Sequence, residues 1–338
     1  MPIRSLTRWG FGLSMAAVLA APAILPMTRP ARASQSAGVQ GLRTAVGGMD
    51  QMHAVLVQQG DEVVLAEALR GQGLSRAANI KSCSKSLLAL LVGTAIARGE
   101  IASTEATLRE VAPDLIPSRA TEGAGDLTIG DLVTLQGGLQ STSGPNYGAW
   151  ISSPDWVAYA LRQPRVAPNG GQMIYSTGTT HILGAVLARA TGKSLVQLAR
   201  ERLGAPLGIE IPAWTRDPQG FYFGGNEMAL TPQAMLRVAV MMRDGGAYDG
   251  QQVIDADWVR ASVTGRTRSH YSGLDYGYGW FLSSSGWVIA RGYGGQIIAA
   301  HQGRGLAVAI TSDTGRPARS EGYFGDLMDL LDGPVLAL

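Results

Sequence analysis

Ser82 and Lys85 stand three residues apart, directly before the apolar run 87–92. At positions i and i+3 of a helix, a serine hydroxyl and a lysine amine share one face. A partly desolvated amine at that distance could take the hydroxyl proton, so the spacing indicates a serine nucleophile with a lysine base. Such short patterns also occur by chance on solvated helices. Of the chain's three lysines, however, only Lys85 follows a serine at this spacing.

Cys83 is the only cysteine of the chain and lies between these two residues. An intramolecular disulfide is therefore impossible. A nucleophilic thiol is an alternative, but no histidine lies nearby in sequence, and a residue next to Ser82 points away from the face that Ser82 shares with Lys85. We expect Cys83 to be a small buried side chain.

Other catalytic and cofactor patterns fit the chain less well. No Gly-x-Ser-x-Gly occurs, so the nucleophile elbow of α/β-hydrolases is missing. Thr191-Gly-Lys-Ser resembles the end of a P-loop, but Leu187 stands where the pattern requires glycine. The four histidines are scattered without metal-ligand spacing, so we expect no metal and no organic cofactor. A Ser/His/Asp triad remains an alternative, because triads assemble in space.

Strand patterns lie towards both ends of the chain, and helical segments lie in the middle. Residues 53–58 and 63–68 read as a hairpin. A helix is predicted from Ser82 to about Ala97, and another begins at Thr231, with proline at its first helical position. After Tyr276 the sequence alternates or runs apolar, as sheet strands do. This order predicts an α+β fold.

The N-terminus has the features of a secretory signal peptide. Arg4 and Arg8 precede an uncharged stretch over 9–27, and Ala31-Arg-Ala supplies an Ala-x-Ala cleavage site. An uncleaved membrane anchor is the alternative, but prolines interrupt the stretch. We expect residues 1–33 to be removed and the protein to be periplasmic or secreted, without membrane attachment.

Composition favours a compact enzyme over residues 34–338. The chain is 46% hydrophobic and 16% charged, which is typical of a globular protein. Residues 1–33 contain four arginines and no acid, so the balance of 28 basic and 26 acidic residues becomes 24 − 26 = −2. No basic surface for nucleic acid is therefore expected.

Several short segments carry a resemblance to a known family. In chain order they are Lys81-Ser-Cys-Ser-Lys-Ser-Leu-Leu, Leu127-Thr-Ile-Gly-Asp-Leu-Val-Thr-Leu-Gln-Gly-Gly-Leu, Met173-Ile-Tyr-Ser-Thr-Gly-Thr-Thr-His-Ile-Leu-Gly, Leu230-Thr-Pro-Gln-Ala-Met, Gly277-Tyr-Gly-Trp and Arg291-Gly-Tyr-Gly-Gly-Gln. With them the chain resembles the class C β-lactamase-like serine hydrolases, which include penicillin-binding-type carboxypeptidases, esterases and 6-aminohexanoate-oligomer hydrolases. The resemblance implies a β-lactamase/transpeptidase-like α+β fold. An antiparallel sheet built from both chain ends (about 40–100 and 255–338) would be flanked by helices, with a mostly helical part at about 101–254.

The family's second motif, Tyr-x-Asn, corresponds to Tyr175-Ser-Thr177. The resemblance implies that Tyr175 carries protons. A phenol ionises near pH 10, so it becomes a base only if a cation lowers its pKa. We expect Lys85 to do this, so that the two groups act as one unit. Thr177 is a candidate substrate-binding residue, although it lacks the amide of the usual Asn.

The third motif, often Lys-Thr-Gly, corresponds to Tyr293-Gly294-Gly295, followed by Gln296. The resemblance implies that the backbone N–H groups of Ser82 and Gln296 form an oxyanion hole. The two glycines would let the substrate approach the backbone; a glycine-rich turn without function is the alternative. Tyr293, also expected to contact substrate, lacks the positive charge that helps β-lactamases hold a carboxylate. This favours an esterase or amidase.

Together these residues predict an exported serine hydrolase that cleaves a small ester, amide or peptide-like substrate through an acyl-enzyme on Ser82. β-Lactamase or D-alanyl peptide carboxypeptidase activity is the alternative. A catalytically inert, penicillin-binding-like binding protein is the alternative of another class. Tyr147, Trp150 and Trp156 either overhang the pocket, with Tyr147 as the candidate substrate contact, or pack in the core.

Overall fold

The computed structural model describes residues 29–338, with side chains from residue 37 onward. The first 28 residues, which hold most of the predicted signal peptide, lie outside the described residues. The strands are β1 (Met52–Gln59), β2 (Glu62–Ala68), β3 (Ala78–Asn79), β4 (Ala229–Leu230), β5 (Ala247–Tyr248), β6 (Gln251–Gln252), β7 (Thr267–Arg268), β8 (Asp275–Tyr276), β9 (Phe281–Leu282), β10 (Val288–Gly292), β11 (Gln296–His301) and β12 (Leu306–Ser312).

Most of the helices lie between the two strand-rich ends of the chain. In chain order the helices are α1 (Arg29–Gly47), α2 (Ser84–Ala97), α3 (Leu108–Val111), α4 (Ile129–Val133), α5 (Tyr147–Ile151), α6 (Trp156–Leu161), α7 (Thr177–Thr191), α8 (Leu195–Ala199), α9 (Ala205–Leu207), α10 (Pro232–Arg243), α11 (Ala256–Ser262) and α12 (Tyr323–Leu330). Short 3₁₀ turns cover Lys81–Cys83, Pro113–Leu115, Ala124–Asp126, Gly144–Asn146 and Gln302–Arg304. The segments Arg200–Gly204 and Leu331–Val335 are π-helical.

An eight-stranded antiparallel sheet unites the two ends of the chain. Its strand order is β2-β1-β12-β11-β10-β9-β8-β7, and Met52 of β1 lies opposite Ser312 of β12. The β1–β2 hairpin turns at Gly60, whose φ of 54° suits glycine. The predicted α+β fold, with a sheet built from both chain ends and flanked by helices, is confirmed.

Both faces of this sheet are buried. Successive side chains of a strand point to opposite sides, and those of β12 enter two different apolar clusters. Along β12, Val308 and Ile310 join the apolar cluster that contains residues of α1 and α12. Ala307 and Ala309 join the larger cluster that contains residues of α2, α7 and α10. Helix α10, inside the range predicted for the helical part, packs against β1, β11 and β12.

Helix α2 is buried on nearly every side, from Ser84 to Ala95. A helix that is apolar all round belongs in the interior of a protein. Two elements hold its N-terminal end, since the preceding turn contacts β10 and β11. The start of α2 therefore lies at the junction between the sheet and the helices.

Candidate active site

Ser82 lies in the 3₁₀ turn directly before α2. Lys81 precedes it with φ of 50°, a left-handed conformation that is uncommon for residues other than glycine. The Lys81 N–H donates to Asn79 Oδ1 at 2.8 Å, and Ser84 Oγ donates to the Lys81 carbonyl at 2.6 Å. These two hydrogen bonds hold the turn, so that Ser82 lines an open cleft while the helix that follows is buried.

Lys85 is buried behind Ser82, with 3% of its surface exposed. Its Nζ lies 3.1 Å from Ser82 Oγ, 3.3 Å from Thr177 Oγ1 and 2.9 Å from the Gly225 carbonyl oxygen. Burial disfavours the ammonium ion and lowers the pKa of Lys85 from 10.5 to about 7. A neutral amine has two N–H donors and one lone pair. It can donate to Thr177 and Gly225 while it accepts the Ser82 hydroxyl proton.

Tyr175 lies beside this pair, with Lys85 Nζ 5.0 Å from the centroid of its ring. Burial raises the pKa of Tyr175, and the Ser82 side chain and the charge of Arg291 offset part of that rise. The expectation that Lys85 lowers the pKa of Tyr175 is therefore wrong. The desolvated phenol keeps its proton near neutral pH, which suits a proton donor rather than a phenolate base.

Gln296 begins β11 next to the turn that carries Ser82. Its side chain is fixed, since Nε2 donates to the Ser312 carbonyl at 2.8 Å and Oε1 accepts from the Ser312 N–H at 3.1 Å. Cys83 Sγ donates to the Gln296 carbonyl at 3.4 Å, and burial raises the pKa of this thiol. Cys83 is thus a buried side chain, as expected, and it links the start of α2 to the strand edge predicted to supply an oxyanion donor.

The two glycines of the third motif serve the fold rather than the cleft. Gly294 and Gly295 have φ of 82° and 94°, and both are absent from the residues that line the cleft. A Cβ at Gly294 would contact the carbonyl oxygen of Asp313, and one at Gly295 would lie 2.5 Å from a ring carbon of Tyr323. Glycine is required here by backbone conformation and by packing within the chain. The expected role of these glycines in substrate approach is therefore not supported.

A cleft of about 620 Å³ opens over Ser82. Of the predicted site residues it is also lined by Tyr147, Tyr175, Thr177 and Tyr293. Tyr293 is 54% exposed at its rim. None of the cleft's lining residues, all within 29–338, is a histidine, so the triad alternative has no histidine at this site.

The cleft also contains polar residues that the sequence analysis did not assign. They are Lys81, Ser143, Asn226, Glu227, Ser269, Tyr271, Arg291 and Thr314. Ser143 Oγ accepts from the Thr177 N–H at 2.9 Å and lies 2.9 Å from Thr177 Oγ1. Glu227 accepts from Lys81 Nζ at 3.1 Å. Only Arg291 offered a sequence signal, a charged residue that ends an apolar strand pattern.

An amide side chain lines the cleft, although Thr177 replaces the expected Asn. Asn226 Nδ2 donates to Tyr147 Oη at 3.3 Å. Its Oδ1 is buried without a hydrogen-bond partner among the described residues. A buried acceptor without a donor costs free energy, so Asn226 is a strained point of the cleft wall.

A buried His181–Asp217 pair supports the loop that carries Gly225. The two side chains are fully buried, with His181 Nε2 2.9 Å from Asp217 Oδ2. The Gly224 N–H donates to His181 Nδ1 at 3.2 Å, so the proton of the neutral ring is on Nε2 and faces the carboxylate. This pair fixes the backbone immediately before the carbonyl that accepts from Lys85.

The aromatic residues of the middle region divide between cleft and core. Trp150 and Trp156 are buried with Phe223 in a small cluster, so these two tryptophans do not overhang the pocket. Tyr147 is partly exposed and stacks on Phe223, with ring centroids 6.4 Å apart.

Residues 29–338 contain neither a cluster of metal ligands nor a membrane-spanning helix. No group of three or more His, Cys, Asp or Glu side chains there is arranged to hold a metal ion. No helix in this range is both long and apolar enough to cross a membrane.

The sequence of this chain is similar to those of known hydrolases. The model of the Beta-lactamase family matches residues 39–330. The 6-aminohexanoate-dimer hydrolase of Paenarthrobacter ureafaciens is 31% identical over 99 residues, which are 29% of this chain and 25% of that protein. This chain therefore matches about a quarter of that relative's length.

Solved structures share the fold at low sequence identity. EstCE1, a hydrolase with promiscuous acyltransferase activity, has a TM-score of 0.73 at 16% identity, over 90% of this chain and 100% of the other. A D-stereospecific amidohydrolase from Streptomyces sp. has a TM-score of 0.66 at 17% identity, over 87% and 97% of the two chains.

Proposed function

This chain belongs to the Beta-lactamase family of hydrolases, and from that premise we propose that it cleaves ester or amide bonds through an acyl-enzyme on Ser82. The observation that carries the proposal is the contact between Ser82 Oγ and the buried amine of Lys85 at 3.1 Å. The pKa of that amine, lowered to about 7, leaves it free to accept a proton at neutral pH.

In acylation, Ser82 Oγ attacks the substrate carbonyl carbon while its proton passes to Lys85 Nζ. The negative charge of the tetrahedral state falls on the carbonyl oxygen, which the backbone N–H groups of Ser82 and Gln296 would stabilise. Tyr175 then donates its phenolic proton to the leaving group as the scissile bond breaks. The proton held by Lys85 returns to Tyr175, so that both groups regain their starting states.

Deacylation repeats this sequence with water in place of the serine. A water molecule gives its proton to Lys85 and attacks the acyl carbon, and Ser82 Oγ leaves after it has been reprotonated. Replacing one step of high barrier by two steps of lower barrier is the advantage of covalent catalysis. No group outside the chain is needed for the proton balance.

The substrate class we propose is a small ester, amide or peptide-like molecule. The cleft offers such a substrate polar side chains, among them Ser143 and Asn226. The curated relative is named as hydrolysing a 6-aminohexanoate dimer, and one structural neighbour is an amidohydrolase. These names support hydrolysis of amides as part of the proposal.

The test is covalent labelling together with turnover. A fluorophosphonate should add one label to the wild type, at Ser82 by peptide mass, and Ser82→Ala should lose both the label and hydrolysis of p-nitrophenyl acetate. Ser152→Ala is the matched control, since Ser152 is exposed on the surface. Retained turnover in Ser82→Ala, with thermal unfolding unchanged, would refute the nucleophile.

We also propose export by residues 1–33, which rests on the sequence pattern alone. Cleavage after Ala33 would remove the first residues of α1, which begins at Arg29. N-terminal sequencing of the protein recovered from the periplasm or medium of a Gram-negative host tests this. A start at residue 34 is expected, and a protein retained in the cytoplasm with an intact N-terminus would contradict export.

A further inference from the structure

The proton that Lys85 takes from Ser82 has to leave a buried amine before water can be activated. We propose that the hydroxyl groups of Thr177 and Ser143 form a proton path from Lys85 Nζ to the cleft. This inference rests on the proposed function, because it concerns the base of the same site.

Among the described residues, one hydrogen-bond partner of Lys85 can pass a proton on. The partners of Nζ there are Ser82 Oγ, the Gly225 carbonyl and Thr177 Oγ1. Ser82 Oγ carries the acyl group once acylation is complete, and a carbonyl oxygen only accepts. A hydroxyl both accepts and donates, so the ammonium can lose its proton through Thr177. The asparagine usual at this position of the motif could accept from the amine but could not hand the proton on.

The donors and acceptors give the path one direction. Thr177 Oγ1 accepts from Lys85 Nζ at 3.3 Å, so its own hydrogen has to point elsewhere. Within residues 37–338, the other group in reach of this oxygen is Ser143 Oγ at 2.9 Å. Ser143 Oγ also accepts from the Thr177 N–H at 2.9 Å, and these two bonds fill its acceptor positions. The Ser143 hydroxyl hydrogen is left without an acceptor in this part of the chain, so it is free to point into the cleft.

Exposure to solvent increases along the three groups. Lys85 is 3% exposed and Thr177 is 4% exposed, whereas Ser143 is partly exposed and lines the cleft. The path therefore begins at a buried amine and ends where water or a bound molecule has access. Because burial disfavours the ammonium ion, the proton is driven outward along these hydroxyls.

Hydrogen bonds to the backbone hold the two hydroxyl groups together. The Ser143 N–H donates to Ser141 Oγ at 3.0 Å, and Ser141 Oγ donates to the Tyr175 carbonyl at 2.6 Å. The Gly178 N–H donates to Thr142 Oγ1 at 2.8 Å. The segment 141–143 is thus fastened to the start of α7, and the contact between Ser143 and Thr177 does not depend on mobile surface side chains.

The transfer after acylation is a chain of proton exchanges. The N–H bond of Lys85 breaks as an O–H bond forms at Thr177, the previous Thr177 proton passes to Ser143, and the previous Ser143 proton passes to water in the cleft. Lys85 is left neutral, each hydroxyl keeps one proton, and rotation of both hydroxyls restores the starting state. Where Tyr175 has given its proton to a leaving group, the released proton neutralises that phenolate, which lines the same cleft.

The path predicts a defect in deacylation alone, because acylation starts from an amine that is already neutral. Thr177→Val keeps the shape of the side chain and removes the hydroxyl. With p-nitrophenyl acetate at pH 8, kcat and KM should both fall by about 10- to 100-fold while kcat/KM stays within about threefold, a smaller loss than that of the base itself. Acetylated Ser82 should accumulate, as measured by the mass of quenched enzyme. Thr177→Ser, which restores the hydroxyl, should restore most of kcat.

Thr134→Val is the matched control. Thr134 is also buried, but its hydroxyl donates to the Gly130 carbonyl at 2.6 Å and does not line the cleft, so kcat and KM should not change. If kcat/KM of Thr177→Val falls as much as kcat, the hydroxyl only positions Lys85 and the path is refuted. A kcat equal to that of the wild type refutes it as well. If Thr177→Val does not fold, Ser143→Ala decides by the same criteria, because it breaks the outer end of the path.

Different results would refute the proposed function. Retained turnover in Ser82→Ala, or no acetyl group on Ser82 of the trapped wild type, would refute the acyl-enzyme. If Ser82→Ala is inactive and Thr177→Val keeps the kcat and KM of the wild type, the nucleophile stands and the proton path alone is refuted.

Discussion

Lys85 Nζ lies over the face of the Tyr175 ring, 5.0 Å from its centroid. Its hydrogen bonds go to Ser82, Thr177 and Gly225 instead of the phenol. An ammonium that stabilised a phenolate would be expected to bond to the phenolic oxygen. In the proposed mechanism the two groups therefore divide the proton transfers, with Lys85 as base towards Ser82 and Tyr175 as acid towards the leaving group.

Lys85→Arg should lower kcat for p-nitrophenyl acetate by about two to four powers of ten, the usual loss of a general base. Arginine carries a permanent charge and cannot be deprotonated at working pH, so it cannot accept the Ser82 proton. Steady-state kinetics at pH 8 measure the effect. Lys193→Arg is the control, because Lys193 is an exposed surface residue paired with Glu201. A drop of less than threefold in Lys85→Arg would remove the amine from the mechanism.

The pH dependence of kcat/KM should follow the titration of Lys85. Its pKa is lowered to about 7, and only the neutral amine can accept the Ser82 proton. The rate constant should therefore rise about tenfold per pH unit well below pH 7 and level off above it, since kcat/KM reports the free enzyme. A profile that is flat from pH 5.5 to 8.5 would contradict this assignment.

Stability should depend on pH through the same group. Below about pH 7 Lys85 is protonated in both states, and the folded protein bears the full cost of the buried charge. Between about 7 and 10.5 the unfolded chain keeps a proton that the folded state has lost, so stability rises with pH. Relative to Lys85→Met, the wild type should gain roughly 4 kcal/mol in unfolding free energy between pH 6 and pH 10. Urea denaturation at both pH values measures this, and a pH-independent difference would exclude a depressed pKa.

Tyr175→Phe should slow the enzyme according to the leaving group of the substrate. A poor leaving group, as in an ethyl ester or an anilide, needs the phenolic proton, and its kcat should fall by about two to four powers of ten. An acidic leaving group such as p-nitrophenol needs it less, so its loss should be smaller. Equal losses on both substrates would show that Tyr175 does not act as the acid.

His181→Phe should destabilise the protein through the loop behind Lys85. The change removes the His181 partner of Asp217 Oδ2 and of the Gly224 N–H, while the Phe221 N–H still donates to Asp217 Oδ1, and it should lower the unfolding free energy by about 3 kcal/mol. Glu201→Gln is the control, because its exposed pair with Lys193 contributes about 1 kcal/mol or less. An effect of His181→Phe as small as that of the control would mean that the buried pair does not support the loop.

Local patterns were sufficient for the elements that carry Ser82. The hairpin predicted over 53–58 and 63–68 corresponds to β1 and β2, and the helix predicted up to Ala97 ends there. These elements depend on side-chain periodicity and on turn residues within a few positions. Both signals can be recognised directly in the sequence. The spacing of Ser82 and Lys85 is of the same local kind, since one helical turn brings them together.

The remainder of the site depends on contacts between distant parts of the chain. Asn226 and Glu227 reach the cleft because β3 pairs with β4, a contact that no local pattern indicates. Arg291 was visible as a charge in an apolar strand, but its place in the cleft is evident only in three dimensions. The pKa of Tyr175 was predicted in the wrong direction, because its burial outweighs any nearby cation.

The pairing of β1 with β12 also has a consequence for the order of folding. The first long strand has to wait for a partner that is synthesised much later, since Met52 of β1 lies opposite Ser312 of β12. Proteins dominated by such non-local pairings fold slowly. During that delay the apolar faces of β1 and α2 are exposed, and aggregation competes with folding. Chaperone supply and expression temperature should therefore limit the yield of active protein more strongly than they would for a helical bundle of the same size.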